Sequence, residues 1–422
     1  MIKFLFKGIL RDKNRSVIPI IIVALGVTLT VFLSTWMRGI FSDMINMNAN
    51  YELGHLKITT HAYAESTMAA NDLALLDVNE LMERLQKEFP DVEWVERTKF
   101  GGLLDVADTN GETRAQGPAI GQAIDFFSKG SKEAERMNIP KSIVKGKLPS
   151  VPGDALISDM FAEKYDVRVG SEVTLFGSTM YGSMMFYNFK VCGTVRFGNQ
   201  QLDRGAILID ITDAQKAFDM QNASGEILGF MNDGYNMDEA EAIKQKFNAE
   251  YYNPNDEFSP EMRQLKDQNG MDVYLMAMNM MGTIFTFIFV VAMSIVLWNM
   301  GLLGGLRRYT EFGVRLALGE DKTHIYLSLI YEAALIGTIG SVIGTIIGLS
   351  AGYYLQINGL DLGINFQGSS MMLPTVFRTE VTPEAYYIGF IPGIIAMVLG
   401  NALSGIGIYK RQTARLFNEL EV

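Results

Sequence analysis

Four long apolar runs divide this chain. Residues 17–37, 280–306, 325–355 and 385–409 contain no Asp, Glu, Lys or Arg except Glu332 in the third run. An α-helix needs about 20 apolar residues to cross the hydrocarbon core of a bilayer. The pattern therefore predicts an integral membrane protein with four transmembrane helices.

A long polar segment, residues 38–279, separates the first two runs. Short stretches with the period of a strand alternate there with stretches that have the period of a helix, which predicts an α+β domain. We expect helical stalks at both ends of this segment, the second from about Pro260, and an inserted lobe at about 101–187. The predicted fold is an α-helical membrane protein with a large α+β domain between transmembrane helices 1 and 2.

Basic residues predict the orientation, because the cytosolic segments of membrane proteins are enriched in Lys and Arg. Segments 1–16, 307–324 and 410–422 hold 12 of the 36 basic and 6 of the 47 acidic residues, whereas the loop 356–384 holds one basic residue. We therefore expect both termini and the middle loop in the cytosol, and the domain and the loop 356–384 outside. Residues 1–16 have the pattern of an amphipathic helix on the membrane surface.

The rest of the chain is acidic, with 24 basic and 41 acidic residues outside those three segments. Such an exterior would repel phosphates, so nucleic acid is not an expected partner. The single cysteine, Cys192, leaves no internal disulfide to stabilise the domain. A domain of roughly 240 residues is large enough to bury its own core without one.

Residues 306–326 have the pattern of a short charged helix between the second and third runs. Glu311 is four residues from both Arg307 and Arg315, which places the three charges on one helix face. A helix in this position could receive force from a cytosolic partner. Apolar residues repeat at the same spacing and predict an apolar side, which consists of Phe312, Leu316, Val314 and Leu318.

Glycines recur every four residues in the third run. They share one helix face and allow another helix to approach closely. Two interpretations remain open: packing within one subunit, or an interface between subunits that takes part in gating. The glycines are Gly340, Gly344, Gly348 and Gly352.

Two other features of the membrane runs are candidates for function. Glu332 is either a structural carboxylate or part of a proton relay. A methionine cluster at the outer end of the second run either fills a core or lines the path of a lipid-like substrate. The methionines predicted for this path are Met276, Met278 and Met281.

The chain lacks the patterns of a catalytic, metal or nucleotide site. His55 and His61 lie six residues apart on an extended segment and do not converge as metal ligands must. Gly146-Lys147, the one Gly-Lys pair, is followed by leucine, so no phosphate-binding loop is present. We therefore expect that the chain binds no cofactor and is not itself an enzyme.

The topology and the inside loop RRYTEFGVRLALG together resemble the FtsX-like, MacB-type permeases of ABC transporters, the mechanotransmission class. That family has an Arg-rich motif here with Glu-Ile-Gly and Arg-Ala-Leu-Gly elements. Phe312 replaces the aliphatic residue, Leu316 shifts the spacing by one, and TARLFNEL replaces an Asp-Pro near the C-terminus. The segment GHLKITTHAY is similar to the start of the outer domain in lipoprotein-release permeases.

The resemblance implies a permease dimer, of identical or different subunits, on a dimer of separate ATPases in the bacterial inner membrane. ATP and Mg²⁺ would bind to the ATPases, and the loop 307–324 would be the coupling helix. Further partners would be membrane lipid and a periplasmic chaperone, adaptor or hydrolase. The residues expected to couple to the ATPase are Arg307, Arg308, Glu311, Gly313, Arg315, Ala317, Leu318 and Gly319.

Three functions remain open under this resemblance. The first is extraction of an amphiphilic envelope substrate, with lipoproteins foremost. The second is efflux of a drug or peptide. The third is a scaffold that moves no substrate and activates a cell-wall hydrolase.

Overall fold

The computed structural model describes residues 13–66, 70–107, 112–197, 203–232, 234–268, 270–361 and 376–410, without the side chains of residues 13–16, 361 and 407–410. The amphipathic leader up to residue 12 and the tail 411–422 lie outside the described residues. The chain forms two compact units, a membrane unit and a domain built mainly from residues 44–275. Four helices are long and apolar enough to cross a membrane, and they comprise Val17–Leu53, Met271–Leu306, Lys322–Asn358 and Pro383–Ile406.

Long helices build the membrane unit, and short helices accompany the sheet of the domain. Short π-helical segments follow the first helix at Ala49–Leu53 and precede the last at Ile391–Ala396. The α-helices are α1 (Lys13–Asn48), α2 (His61–Glu65), α3 (Val78–Glu88), α4 (Glu133–Arg136), α5 (Ile139–Ser142), α6 (Asp159–Lys164), α7 (Ile211–Ala217), α8 (Met237–Tyr251), α9 (Met271–Leu306), α10 (Tyr309–Ala317), α11 (Lys322–Asn358) and α12 (Met397–Lys410).

One ten-stranded mixed sheet forms the centre of the domain. Its order is β12-β1-β11-β3-β4-β9-β6-β8-β5, and β7 pairs with both β3 and β8. The strands are β1 (Leu56–Thr60), β2 (Leu75–Leu76), β3 (Val92–Ala107), β4 (Thr113–Ile124), β5 (Ile143–Gly146), β6 (Asp154–Ser158), β7 (Glu172–Ser178), β8 (Met184–Val195), β9 (Ala206–Asp210), β10 (Ala223–Ser224), β11 (Glu226–Met231), β12 (Pro260–Gln264), β13 (Leu360–Asp361) and β14 (Val376–Phe377).

The long strand β3 joins two lobes of the domain. Its first part, up to Arg97, pairs with β11, and its second part, from Thr98, pairs with β4. The first lobe packs α3 and α8 against β1, β11 and β12. The second packs α6 and α7 against β4, β6, β7, β8 and β9. The predicted inserted lobe, 101–187, is therefore wrong at its end. It stops inside β8 and leaves out β9 and α7, because no break in composition marks the return to the first lobe.

The second stalk also begins later than expected. Residues from Pro260 to Gln264 form strand β12 and pair with β1 at the edge of the sheet. Proline suits the first residue of an edge strand, because its missing N–H is not needed there. The helix α9 begins only at Met271.

Glycines bring α1 and α11 into close contact within the membrane unit. A Cβ atom on Gly340 would lie 2.7 Å from Val23, one on Gly344 would lie 2.7 Å from Val27, and one on Gly348 would lie 2.9 Å from Val31. Gly352 continues the row beside Thr35. The contact explains the four-residue spacing as packing within one subunit, so this face is already covered by α1.

Further contacts show how the other membrane helices run. Ser34 on α1 meets Thr286 on α9 at 3.3 Å, and Gly26 packs against Leu297, so α1 and α9 are antiparallel. Gly405 on α12 packs against Tyr326 and Leu329, near the start of α11. The four helices therefore alternate in direction, as consecutive membrane spans must.

The fourth span differs from a plain helix over 385–409. It opens with a 3₁₀ turn at Pro383–Tyr386, continues through the π-helix Ile391–Ala396, and becomes α-helical at Met397. Pro392 lies in the first turn of the π-helix, where its missing N–H is tolerated because an N–H there has no partner within the helix. Apolar length predicts the span but not this local winding.

Replacing Gly344 with leucine is expected to destabilise the membrane unit by about 1–3 kcal/mol, because the new side chain would be forced into α1. The measurement is thermal unfolding of the full chain in detergent. Gly304→Leu is the matched control, since a Cβ atom there has no neighbour within 4 Å. Equal melting temperatures for the two variants would contradict the close packing.

Candidate functional site

The segment between the second and third spans forms a distinct short helix, α10. The predicted stretch 307–324 divides into α10, a turn, and the first residues of α11. Gly319 has a φ of 92°, and its N–H donates to the Leu316 carbonyl at 3.0 Å, which ends α10. Asp321 then starts α11 by accepting the Thr323 N–H at 3.1 Å.

One side of α10 is buried against the membrane helices. Tyr309 and Phe312 pack with Ile325 and Leu329 of α11. The Tyr309 hydroxyl donates to the Ser404 carbonyl of α12 at 2.6 Å. These contacts fix α10 to two spans at once.

An ion pair adds a second attachment at the start of α10. Arg308 donates two hydrogen bonds to the carboxylate of Glu332, at 2.5 and 2.7 Å, and both side chains are less than a quarter exposed. A bidentate pair fixes direction as well as distance. The contact gives Glu332 the structural role and brings together two residues that lie 24 positions apart.

The other side of α10 is open and partly apolar. The predicted apolar side is divided by the structure: Phe312 and Leu316 face inward, whereas Val314 is 46% and Leu318 is 82% exposed. The sequence interpretation missed this division because both pairs have helical spacing. The exposed stripe, a name we use for Thr310, Val314, Ala317 and Leu318, follows the spacing i, i+4, i+7, i+8.

The predicted charged face is only partly assembled. Glu311 accepts a hydrogen bond from Arg315 at 2.6 Å, and Gly313 is buried. Arg307 is exposed, and its side chain has no hydrogen bond or ion pair within the part of the chain that the structure describes. The three charges therefore do not form a single network.

Comparisons with known proteins agree with this architecture. Residues 283–413 match the FtsX-like permease C-terminal family, and residues 16–246, more than half of the chain, match the MacB-like periplasmic core domain. The chain belongs to the FtsX-like, MacB-type family of ABC-transporter permeases. It is an inner-membrane protein, and its large domain, inserted between the first and second spans, is periplasmic.

The relatives match parts of this permease. The lipoprotein-releasing system transmembrane protein LolC of Haemophilus influenzae is 24% identical over 252 residues, which cover 58% of this chain and 59% of LolC. The macrolide export ATP-binding/permease protein MacB of Brucella abortus is 33% identical over 94 residues, 22% of this chain and 14% of MacB. The crystal structure of the periplasmic region of MacB from Actinobacillus actinomycetemcomitans matches with a TM-score of 0.32 and 11% identity, over 51% of this chain and 91% of that one.

The methionines predicted for a substrate path lie near the outer end of the membrane segment of α9. Met276 is 74% and Met281 is 42% exposed, whereas Met278 is half-buried. In its most apolar stretch α9 is 22% buried, against 39 to 50% for the other three spans. The permease thus leaves α9 more open than any other of the four spans.

A buried arginine holds the first stalk in the periplasmic domain, which sequence reasoning missed. Arg97 is fully buried and donates to the carbonyls of Asn50 and Tyr51 at 2.9 and 2.7 Å. Its charge is balanced by Glu133 at 2.6 Å. A cation suits the C-terminal end of a helix, where carbonyls lack partners.

The two stalk ends also pack on each other inside the domain. Ala49 and Leu53 from the first stalk contact Leu265, Met271 and Leu275 from the second. The domain therefore ties both stalks together at one place.

A second buried charge cluster lies on the first lobe. Lys57 and Lys99 flank the fully buried Glu226, at 2.7 and 3.4 Å. Burial alone would raise the pKa of Glu226, but the two lysines outweigh it and lower that pKa. The carboxylate is thus kept charged between the two lysines.

The two histidines of the domain each have a partner within the fold. His55 accepts the Met231 N–H at 3.0 Å, and burial lowers its pKa to about 4. His61 contacts Glu261 at 2.7 Å. Within the described part of the chain, no group of three or more His, Cys, Asp or Glu side chains could hold a metal.

The Arg308–Glu332 pair generates a testable prediction. Glu332→Leu leaves the Arg308 guanidinium in partly apolar surroundings without a carboxylate partner. We expect this change to lower the stability of the membrane unit by about 2 kcal/mol. Arg308→Met in the same background removes the uncompensated charge and is expected to restore most of that loss. A double-mutant cycle on thermal unfolding measures the coupling.

If the losses of stability in Glu332→Leu and Arg308→Met simply added in the double variant, this account of the pair would be contradicted. The Arg84–Glu80 pair, which is exposed on α3, serves as a control. We expect its cycle to show little coupling, because solvent screens exposed pairs.

Proposed function

We propose that this permease couples ATP hydrolysis by a separate ATPase dimer to movement of its periplasmic domain. The supporting observation is the division of α10 into an anchored side and an exposed stripe. Tyr309 and Arg308 fasten the anchored side to α11 and α12. A rigid, attached helix with an uncovered apolar stripe suits a contact that receives force.

We infer that α10 lies in the cytosol together with both ends of the chain, as four alternating spans with a periplasmic domain after the first would require. The direction of the helix contacts and the 12 basic residues of the inside segments support this orientation. The ATPase would therefore meet α10 on the cytosolic side, and the coupling residues named from the sequence keep that proposed role.

Nucleotide binding is assigned to the ATPase. Gly146 is the last residue of β5 and has a φ of 84°, and the N–H of Lys147, the next residue, donates to the Cys192 carbonyl at 3.1 Å. A strand pair at this point offers no helix N-terminus for phosphates. ATP and Mg²⁺ would act from the partner chain.

Movement would pass through helices to the domain. A shift of α10 would act on α11 and α12 through its anchors, and on α1 through the glycine contact with α11. The first stalk continues α1 and ends where Arg97 binds the carbonyls of Asn50 and Tyr51. The start of α9 packs against this end of the first stalk. A second permease subunit, identical or related, would complete the assembly.

Leu318→Asp is expected to weaken the ATPase contact and abolish its stimulation, because it places a charge in the exposed stripe. We expect at least tenfold weaker ATPase binding, about 1.4 kcal/mol. The measurement is binding of the purified ATPase to the reconstituted full-length permease. The side chain is 82% exposed, so the fold should be unaffected.

Leu318→Met is the matched control and should bind like the native chain. Unchanged ATPase binding and stimulation in Leu318→Asp would remove α10 from the proposed role, provided that both variants melt at the native temperature.

We further propose that the substrate is amphiphilic, with lipoproteins foremost. The match to LolC extends over 252 residues, whereas the match to MacB of Brucella abortus extends over 94. The open α9, with its exposed methionines, would provide an apolar surface that adapts to acyl chains. A periplasmic chaperone, an adaptor or a hydrolase would be the outer partner.

A photoreactive residue at Met276 is expected to capture lipidated proteins in native membranes when the ATPase is trapped. Captured proteins are identified by mass spectrometry, with the same probe at buried Leu275 as the control. Capture of small amphiphiles would favour efflux. Capture of soluble hydrolases without lipid would favour a scaffold, and either result would displace lipoproteins as the substrate.

A further inference from the structure

The membrane unit contains a cavity at its inner end. The cavity measures about 450 Å³ and is lined by residues from α1, α9, α10, α11 and α12. Ile18 and Leu303, on two of these helices, are 57% and 52% exposed, so the cavity has apolar walls that reach the outer surface of the bundle. The lining shares Arg307, Arg308, Thr310 and Glu311 with the proposed coupling segment, and it contains none of the methionines of the proposed substrate path.

The cavity is amphipathic along one direction. Its deeper walls consist of apolar side chains within the spans, among them Met300, Leu329, Ile336 and Met397. Among the charged residues that line it, Arg307, Arg308 and Glu311 lie where α9 ends and α10 begins, and Glu332 lies on α11 with its carboxylate bound to Arg308. This arrangement matches a molecule with an apolar tail in the bilayer and a polar head at the cytosolic surface.

Among the described residues, the charges at this mouth leave one cation uncompensated. Arg308 and Glu332 neutralise each other at 2.5 Å, and Glu311 accepts from Arg315 at 2.6 Å. Arg307 is exposed at the mouth, and within the described part of the chain its side chain has no such partner. The mouth therefore favours an anion.

We propose that this cavity binds one acidic phospholipid of the cytosolic leaflet. One acyl chain would lie between the spans, and the phosphate would lie at Arg307. Basic residues at a membrane surface attract anionic lipids, and apolar walls hold the chain by burial. A zwitterionic lipid has the same acyl chains but no net negative charge. The preference for an acidic lipid over a zwitterionic one therefore depends on Arg307.

A lipid in this position would contact the elements that hold α10. Leu329 lines the cavity and also packs against Tyr309 and Phe312. Glu332, which holds Arg308, lines it as well. The bound chain would therefore stabilise the attachment of α10, independently of which substrate or ATPase the permease serves.

The test uses the full-length permease without its ATPase, in nanodiscs of phosphatidylcholine that contain either a photoreactive phosphatidylglycerol or a photoreactive phosphatidylcholine with the same chains. After illumination, mass spectrometry measures the labelling of peptides that contain Met300 or Leu329. We expect about fivefold more labelling by phosphatidylglycerol. Because no ATPase is present, failure here is distinct from failure of the coupling proposal.

Three variants locate the interaction. Arg307→Gln should remove the preference for the anionic lipid but retain basal labelling. Gly304→Phe, which has open space for its side chain beside the cavity, should lower labelling by both lipids. Lys322→Gln, at the start of α11 and outside the cavity lining, should leave the preference unchanged.

Several outcomes would overturn the proposal. These are equal labelling by both lipids in the native chain, a preference that persists in Arg307→Gln, or a preference lost in Lys322→Gln. A photoreactive residue at Gly304 that crosslinks to residues 1–12 or to a second permease copy in place of lipid would also overturn it. Lipid adducts at this position, with phosphatidylglycerol preferred, would support it.

Discussion

The bidentate pair between Arg308 and Glu332 is the constraint on which the position of α10 in the membrane unit depends. A charge near the hydrocarbon must reach water or an opposite charge, because its desolvation is costly. Here the carboxylate on α11 and the guanidinium before α10 satisfy each other. Their fixed distance sets where α10 begins, which in turn directs Tyr309 inward and Val314 outward.

The helix contacts determine which parts of the permease move together. Glycine at every fourth position removes the side chains that would separate α1 from α11, so backbone and Val side chains meet directly. Such a tight contact leaves the two helices little room to slide against each other. By contrast, α9 is largely open, which leaves it free to meet lipid, cargo or a second subunit.

The four spans and the α+β domain could be predicted because they depend on local properties, the length of apolar runs and the alternation of periods. Side-chain contacts between residues that are distant in the sequence could not be predicted, because they depend on the tertiary fold. In the sequence Arg97 has the pattern of an ordinary polar residue of a strand. Only the fold shows that it binds the carbonyls at the end of the first stalk. The end of the second lobe was missed for a similar reason, since only the pairing of β9 with β4 and β6 assigns that late segment to the second lobe.

Glu332 illustrates how part of the site could have been found. A lone carboxylate in a membrane span requires a cation within reach, and Arg307 and Arg308 were the nearest candidates in the preceding loop. Spacing alone could not choose between them, because the turn before α10 rotates consecutive residues to different sides.

The exposed stripe on α10 leaves apolar side chains open to solvent. Val314 and Leu318 would gain stability if they were covered, and folding leaves them open although Phe312 and Leu316, on the same helix, are packed. Burying one aliphatic side chain contributes about 1.5–3 kcal/mol. A helix that is anchored on one side and apolar on the other thus retains a driving force for association, and its attachments ensure that a partner which covers it also gains a hold on α11 and α12.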